Sequence, residues 1–322
     1  MRLLLALASL KFTPVGLVLL GIASVAVYKF DDSAMPWLSG PLFLLAVNLI
    51  AAVATNGVFR KQMPLLVFHL ALIALVLLAA AGRLMYLKGT AEVTEGAEFH
   101  GLKQRDAGPL HIDRIDRVHF INEGFDIDYM PGPVLDRMVN RVRWQDGDGN
   151  ERRAGIELNK PLILFGYRIY PTSNKGFAPV FLWRATSGVP LLAAVHLPSY
   201  PANATGQARS WRPEGARDDV WVMLNVEEDL IPAAASSRFR LPERKRIVVR
   251  HGEGRWEIGP GEQIVLPDGT LEYSELRTWM GYRFFYDWTI PWMIAACAVA
   301  VLSLSWHYWR KFAATPWNRE NE

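Results

Sequence analysis

PLLVFHLALIALVLLAAAG, residues 64–82, is apolar at every position but one, His69. As a helix the stretch rises about 28 Å, close to the ~30 Å of hydrocarbon that a membrane span must cross. Three further runs are nearly free of charge: Phe12 to Val27, Pro41 to Ala54, and Trp288 to Ser305. With their flanks they predict four transmembrane helices, at about 10–28, 36–58, 64–86 and 287–309. Three spans therefore precede, and one follows, a long segment of ordinary polarity. The chain divides on this basis into a three-helix region at 1–87, an exported domain at 88–285, and a last helix with its tail at 286–322.

The formal charge of +3 is a topology signal rather than a nucleic-acid footprint. Between Lys88 and Arg283 the chain carries 26 Lys/Arg against 27 Asp/Glu, so the exported segment is balanced. The basic excess sits in or beside the spans. Arg2, Lys11, Arg60, Lys61, Arg310, Lys311 and Arg319 fall on one side if the helices alternate, and that side is read as the cytoplasm. The loop YKFDDSAMP (28–36) and residues 88–285 then lie outside, in a multi-pass inner-membrane protein with both termini cytoplasmic. Trp288 and Trp292 mark one end of the last span, and Trp306 and Trp309 the other, as interfacial belts do. SVA at 24–26 would serve as a signal-peptide cleavage site, but Lys11 and Pro14 interrupt the start of the run, and the first helix is read as retained.

The single cysteine, Cys297, lies within the last span, so the exported segment has no disulfide and no thiol chemistry. There is no CxxCH motif and no zinc-type Cys/His spacing.

Past Leu87 the hydrophobic period shortens to that of strands. MVNRVRW, QDGDGNE and RRAGIEL read as strand, DG turn and strand. LILFGYRIY, PVFLWRA, DVWVMLNV and RIVVR follow as β-branched and aromatic runs, with strands predicted at Leu162–Tyr170 and Val220–Val226. GPGEQIVLPDGTLEY adds two turn signals, and Tyr200–Ala216 reads as a loop. The exported domain is thus predicted to be all-β, a sandwich or a related antiparallel fold.

Two passages resemble the ResB (CcsB) family of cytochrome c biogenesis proteins. One is SLKFTPVGLVLLGIASV (9–25), followed by a second span, a third carrying FHLALIALVLLAAAG, and EVTEGAEF (92–99). The other is IELNKPLILFGYRIYPTSNKG (156–176). The order of three helices, a large exported β-domain and one last helix is similar as well. The chain departs from the family in its short length, in Pro171 after Tyr170, and in approaching its last helix through FFYDWTIPW. The resemblance implies a haem-handling role. Such proteins work with a CcsA-type membrane protein bearing a tryptophan-rich motif, and together they attach haem b to apocytochrome c. No such motif occurs in this sequence, so the resemblance implies that the CcsA half is to be expected on a separate chain.

An ionisable group inside a span is by default a functional hypothesis. His69 is read either as bonding another helix, through Asn48, Thr55 or Asn56, or as an axial ligand of haem iron; the resemblance favours the second. His307 is either a second axial ligand or a headgroup-level anchor beside Trp306 and Trp309, the anchor being preferred. His100, His111, His119, His196 and His251 are read as surface or hydrogen-bonded histidines, with His251, after RIVVR, the first to test for haem contact. SRFRLPERKRIVVR (237–250) is read as a solvated face neutralised by neighbours rather than as a site for anions or lipid. Two other functions stay open: a membrane anchor that docks an exported enzyme without haem, and a b-type electron carrier, which needs two histidines within the bundle. Membrane lipid is a partner on every reading.

Overall fold

The computed structural model describes residues 6–9, 11–30 and 36–313. Arg2, Leu10, Arg319 and the 31–35 part of the predicted outer loop lie outside the described residues. The chain forms two compact units, one of residues 1–88, 106–113 and 285–322, the other of 89–105 and 114–284.

The first unit is helical: α1 (Phe12–Phe30), α2 (Pro36–Thr55), α3 (Gly57–Lys61), α4 (Met63–Met85) and α5 (Ile290–Ala313). All but α3 are long and apolar enough to span a bilayer, α4 having the highest mean hydropathy at 2.6. This is a membrane protein with the expected three-plus-one order of spans. The second span ends earlier than predicted. Asn56 breaks it, because its side-chain oxygen accepts from the Val58 N–H and starts α3 as a separate turn.

Small residues let the helices approach. Ala71, Ala80 and Gly82 of α4 are buried, as are Ala296, Ala300 and Ser303 of α5. A Cβ at Gly82 would lie 2.8 Å from Thr289 Oγ1, so any larger residue would push away the start of α5. Asn48, buried in α2, donates from Nδ2 to the carbonyls of Leu7 (2.6 Å) and Ser9 (3.1 Å). Its Oδ1 accepts from Thr13 Oγ1 at 2.8 Å, which ties the start of α1 to α2.

The second unit is β-rich, in three sheets. The largest contains β1 (Leu87–Thr94), β2 (Gln104–Ala107), β6 (Leu162–Leu164), β7 (Tyr167–Ala185), β8 (Leu191–Ala194), β14 (Gln263–Leu266) and β15 (Gly269–Tyr286). Its order is β2-β1-β15-β7-β6, with β14 beside β15 and β8 beside β7. A second sheet runs β13 (Gly254–Ile258), β12 (Lys245–His251), β10 (Val220–Val226), β9 (Ala208–Trp211). The third runs β11 (Ser237–Arg238), β3 (Ile121–Tyr129), β4 (Leu135–Gln145), β5 (Glu151–Ile156). Residues Lys175–Phe181 of β7 are all buried, so both faces of the large sheet are covered there. On one stretch Phe177 stacks with Phe239 and meets Tyr200 at a tilt; further along, Phe181 stacks with Trp211.

The hairpin predicted over 138–158 is present as β4 and β5 (135–156), with Arg143↔Arg153 and Gln145↔Glu151 in register. Asp146 organises its turn by accepting from the N–H groups of Asp148 and Asn150 and from Arg152 Nε. Two expectations need correction. Leu162–Tyr170 is not one strand: it folds back at Phe165 and Gly166, both at positive φ (50° and 87°), so that Leu164 pairs with Tyr167 in a tight hairpin. Nor is Tyr200–Ala216 loop throughout, since Ala208–Trp211 pairs antiparallel with β10.

A core of side-chain amides joins four strands of this unit. Asn140 Nδ2 donates to Asn122 Oδ1 (2.8 Å) and to the Gly124 carbonyl (2.8 Å), and Asn140 Oδ1 accepts from Tyr282 OH at 2.8 Å. Asn122 in turn donates to the Val93 carbonyl.

Candidate functional site

His69 lies on the second turn of α4. Its Nδ1 is 2.7 Å from the carbonyl of Leu65, four residues back along the same helix. A carbonyl only accepts, so Nδ1 carries the proton of this hydrogen bond. The ring sits against Phe59 of α3 (centroids 4.4 Å apart) and edge-on to Phe68 (5.3 Å). No partner of Nε2 occurs among the described residues. The groups proposed as helix-bridging partners are engaged elsewhere: Asn48 with Leu7, Ser9 and Thr13, Thr55 with the Ala51 carbonyl, Asn56 with Val58. An imidazole whose Nδ1–H is fixed by a carbonyl is held as histidine ligands of metals usually are, so in its neutral tautomer His69 could hold a metal such as haem iron through Nε2.

His307 is placed differently. It stacks edge-on to Tyr308 (5.4 Å) and lines a pocket of about 580 Å³ with Lys61, Gln62, Pro64, Arg310 and Lys311. That pocket lies where α4 begins and α5 finishes, and no contact between His69 and His307 occurs among the described residues. His251 belongs to the β-rich unit, at the end of β12, with Nε2 4.0 Å from Asp218 Oδ2.

The remaining histidines are mostly hydrogen-bonded. His119 Nδ1 meets Glu98 Oε1 at 2.8 Å on the surface, and His111 Nδ1 meets the Met85 carbonyl at 2.8 Å. His100 is exposed beside His196 in a second pocket of about 520 Å³. His196 is held by three groups. Its Nε2 is 2.8 Å from Thr94 Oγ1, its Nδ1 is 3.3 Å from Glu92 Oε2, and its ring stacks on Trp279 at 5.2 Å. The hydrogen bond from His196, with Lys103 behind it, holds the Glu92 carboxyl down at about 2. This hydroxyl–imidazole–carboxylate chain was not visible in the sequence, where Glu92 and His196 are far apart.

Three of the six basic residues of the 237–250 stretch are ion-paired to neighbouring acids, as the charge balance of the domain suggested. Arg238 pairs with Asp126 and Asp128, Arg240 with Glu228, and Arg246 with Glu227 and Glu257. Arg250 lies over the Trp221 ring at 4.9 Å.

The ResB-like family model matches residues 45–311, from the middle of α2 to near the end of α5. No curated protein matches the chain.

Proposed function

The chain belongs to the ResB-like family, and on that premise we propose that it is the ResB-type half of a two-protein system that delivers haem to apocytochrome c and supports its attachment. The observation that carries this reading is His69: the only ionisable group in the interior of the most apolar span, with its Nδ1–H fixed to the Leu65 carbonyl and its Nε2 without a described partner. When bound, haem supplies the iron and the vinyl groups that become thioether links. This chain supplies one imidazole, the apolar and aromatic wall of Phe59 and Phe68, and an exported β-rich surface for the apocytochrome. Thioether formation and the second axial ligand belong to a CcsA-type, tryptophan-rich partner. In the membrane, the end of the bundle bearing Lys61, Arg310 and Lys311 faces the cytoplasm and residues 88–285 face outward.

The test is haem per protein after co-expression with the partner, in wild type, His69→Ala, and His69→Gly with and without added imidazole. Alanine carries no desolvation cost in the span, so the variant inserts normally while haem retention and c-type cytochrome yield fall. Imidazole fills the space left in the glycine variant and restores part of both. Equal haem in all four samples refutes the assignment.

A further inference from the structure

Residues 106–113 lie between stretches of the β-rich unit in sequence but belong to the helical unit. What holds them there is the C-terminal end of α4. A helix leaves its last carbonyls without intrahelical donors, and beside hydrocarbon water is a poor substitute. The Leu110 N–H donates to the Leu84 carbonyl (2.8 Å), the His111 Nδ1–H to the Met85 carbonyl (2.8 Å), and the Gly108 N–H to the Tyr86 carbonyl (2.9 Å). One short loop thus satisfies three successive carbonyls. Position 108 requires glycine for this, since a Cβ there would lie 2.3 Å from the Leu84 carbonyl oxygen.

With His111 turned in, its two neighbours are left out: Leu110 is 58% and Ile112 61% exposed. Exposed aliphatic side chains are ordinary on a protein surface, so the height of this pair decides its meaning. Three observations set that height. The Met85 sulfur accepts the indole N–H of Trp288 at 3.3 Å while the Met85 carbonyl accepts from His111, which puts loop and indole at one level. Trp292, in the first turn of α5, is exposed. Arg83 and Lys88 lie over the Tyr86 ring, their charged ends 5.2 and 5.8 Å from its centroid. Tryptophans and long cationic side chains at the end of a span mark the headgroup boundary. We propose that the 108–113 loop is a lipid-binding element: Leu110 and Ile112 insert into the leaflet at the C-terminal end of α4, where headgroups meet acyl chains. The loop extends the exposed apolar sides of α4 and α5, and the assignment holds whichever way the chain crosses the membrane. The bilayer thereby anchors the chain through this loop as well as through its spans.

The test uses the full-length chain in phosphatidylcholine vesicles, with Cys297→Ala and a nitroxide attached at Leu110→Cys or at Ile112→Cys. Both side chains are exposed, so neither label displaces packing, and an unfolding temperature equal to that of the wild type certifies the fold. Power-saturation EPR compares collisions with oxygen, which concentrates in the bilayer, and with a nickel chelate, which stays in water. The same label on the native Cys297, exposed within the last span, supplies the hydrocarbon reference. Both loop labels are expected to favour oxygen and to lie about 5–10 Å into the interface, shallower than the label on Cys297. A label at either position that favours nickel, as free nitroxide in buffer does, places the loop in water and overturns the proposal. A label at either position that is shielded from both probes shows that protein, a second copy of this chain, covers the loop, and overturns it as well.

Discussion

Lys175 is the least favourably placed charge in the β-rich unit, and its replacement gives a sharp test of the packing. It lies on β7 within the run that is buried on both faces, and the residue is only 4% exposed. Its Nζ has the Ser173 carbonyl at 3.4 Å, a long contact, and the Tyr129 ring at 5.7 Å. No carboxylate lies within ion-pair distance among the described residues. Burial alone pushes the ammonium down from 10.5 to about 8. Converted through the linkage relation, that displacement corresponds to at most about 3 kcal/mol by which the charged form weakens the fold. Lys175→Met keeps the volume and removes the charge. It should stabilise the protein by about 1–3 kcal/mol at neutral pH, raising the unfolding temperature by roughly 3–10 °C. The sign with pH follows from the direction of the shift. Between about 8 and 10.5 the unfolded chain holds the proton and the folded chain does not, so wild-type stability rises with pH across that window. The advantage of methionine should therefore shrink as the pH approaches 10.5. Tryptophan fluorescence of the full chain in detergent, followed against temperature at neutral and alkaline pH, reads both effects. A methionine variant that melts lower than wild type at neutral pH would mean that the ammonium makes a net favourable interaction, and the argument from uncompensated burial would fail.

Two further outcomes follow from the same unit. Asn140→Ala leaves the Tyr282 hydroxyl and the Gly124 carbonyl without their partner in a dry interior, which should cost about 2–5 kcal/mol. Tyr282→Phe should cost less, about 1–3 kcal/mol, and the double variant less than the sum; strict additivity would show that the amide network is not coupled. Glu92, held down at about 2 by His196 and Lys103, contributes stability that is complete above 4.5 and is lost as the pH falls from there toward 2. His196→Phe keeps a ring against Trp279 but removes the largest cause of the shift, so its unfolding temperature should fall less steeply than wild type over that acid window; identical acid limbs would discount the hydrogen bond.

The spans were legible because lipid imposes one requirement on a long stretch, and composition alone records it. The 135–156 hairpin was legible for a local reason: Asp and Gly at the turn supply the backbone and side-chain geometry within a few residues. The turn at Phe165 and Gly166 was missed because a phenylalanine at positive φ is not a residue that advertises a turn. Its conformation is set by the pairing of Leu162 with Ile169, a tertiary outcome. Strand β9 was hidden for a related reason, since ARSW gains strand character only by pairing with β10. The end of the second span at Thr55 was readable in principle, from Asn56 followed by Gly57, but hydropathy carried the expected helix past it.

The candidate site divides along the same line. His69 stood out because one imidazole in an apolar helix has no neighbour to explain it, and its link to Leu65 is local, one helical turn away. The pocket beside His307 was not legible: Lys61 and Arg310 are far apart in the chain, and in sequence they signalled only which way the helices point. Their juxtaposition also bears on why this chain would act as half of a complex. A self-sufficient b-type carrier needs a second imidazole within the bundle, and the other histidine on a span, His307, is turned to the basic pocket and to Tyr308. On the proposed function, one nitrogen ligand from this chain would leave the remaining coordination of the haem to another protein. A cargo that must be passed on is better held in this way than between two ligands of the same bundle.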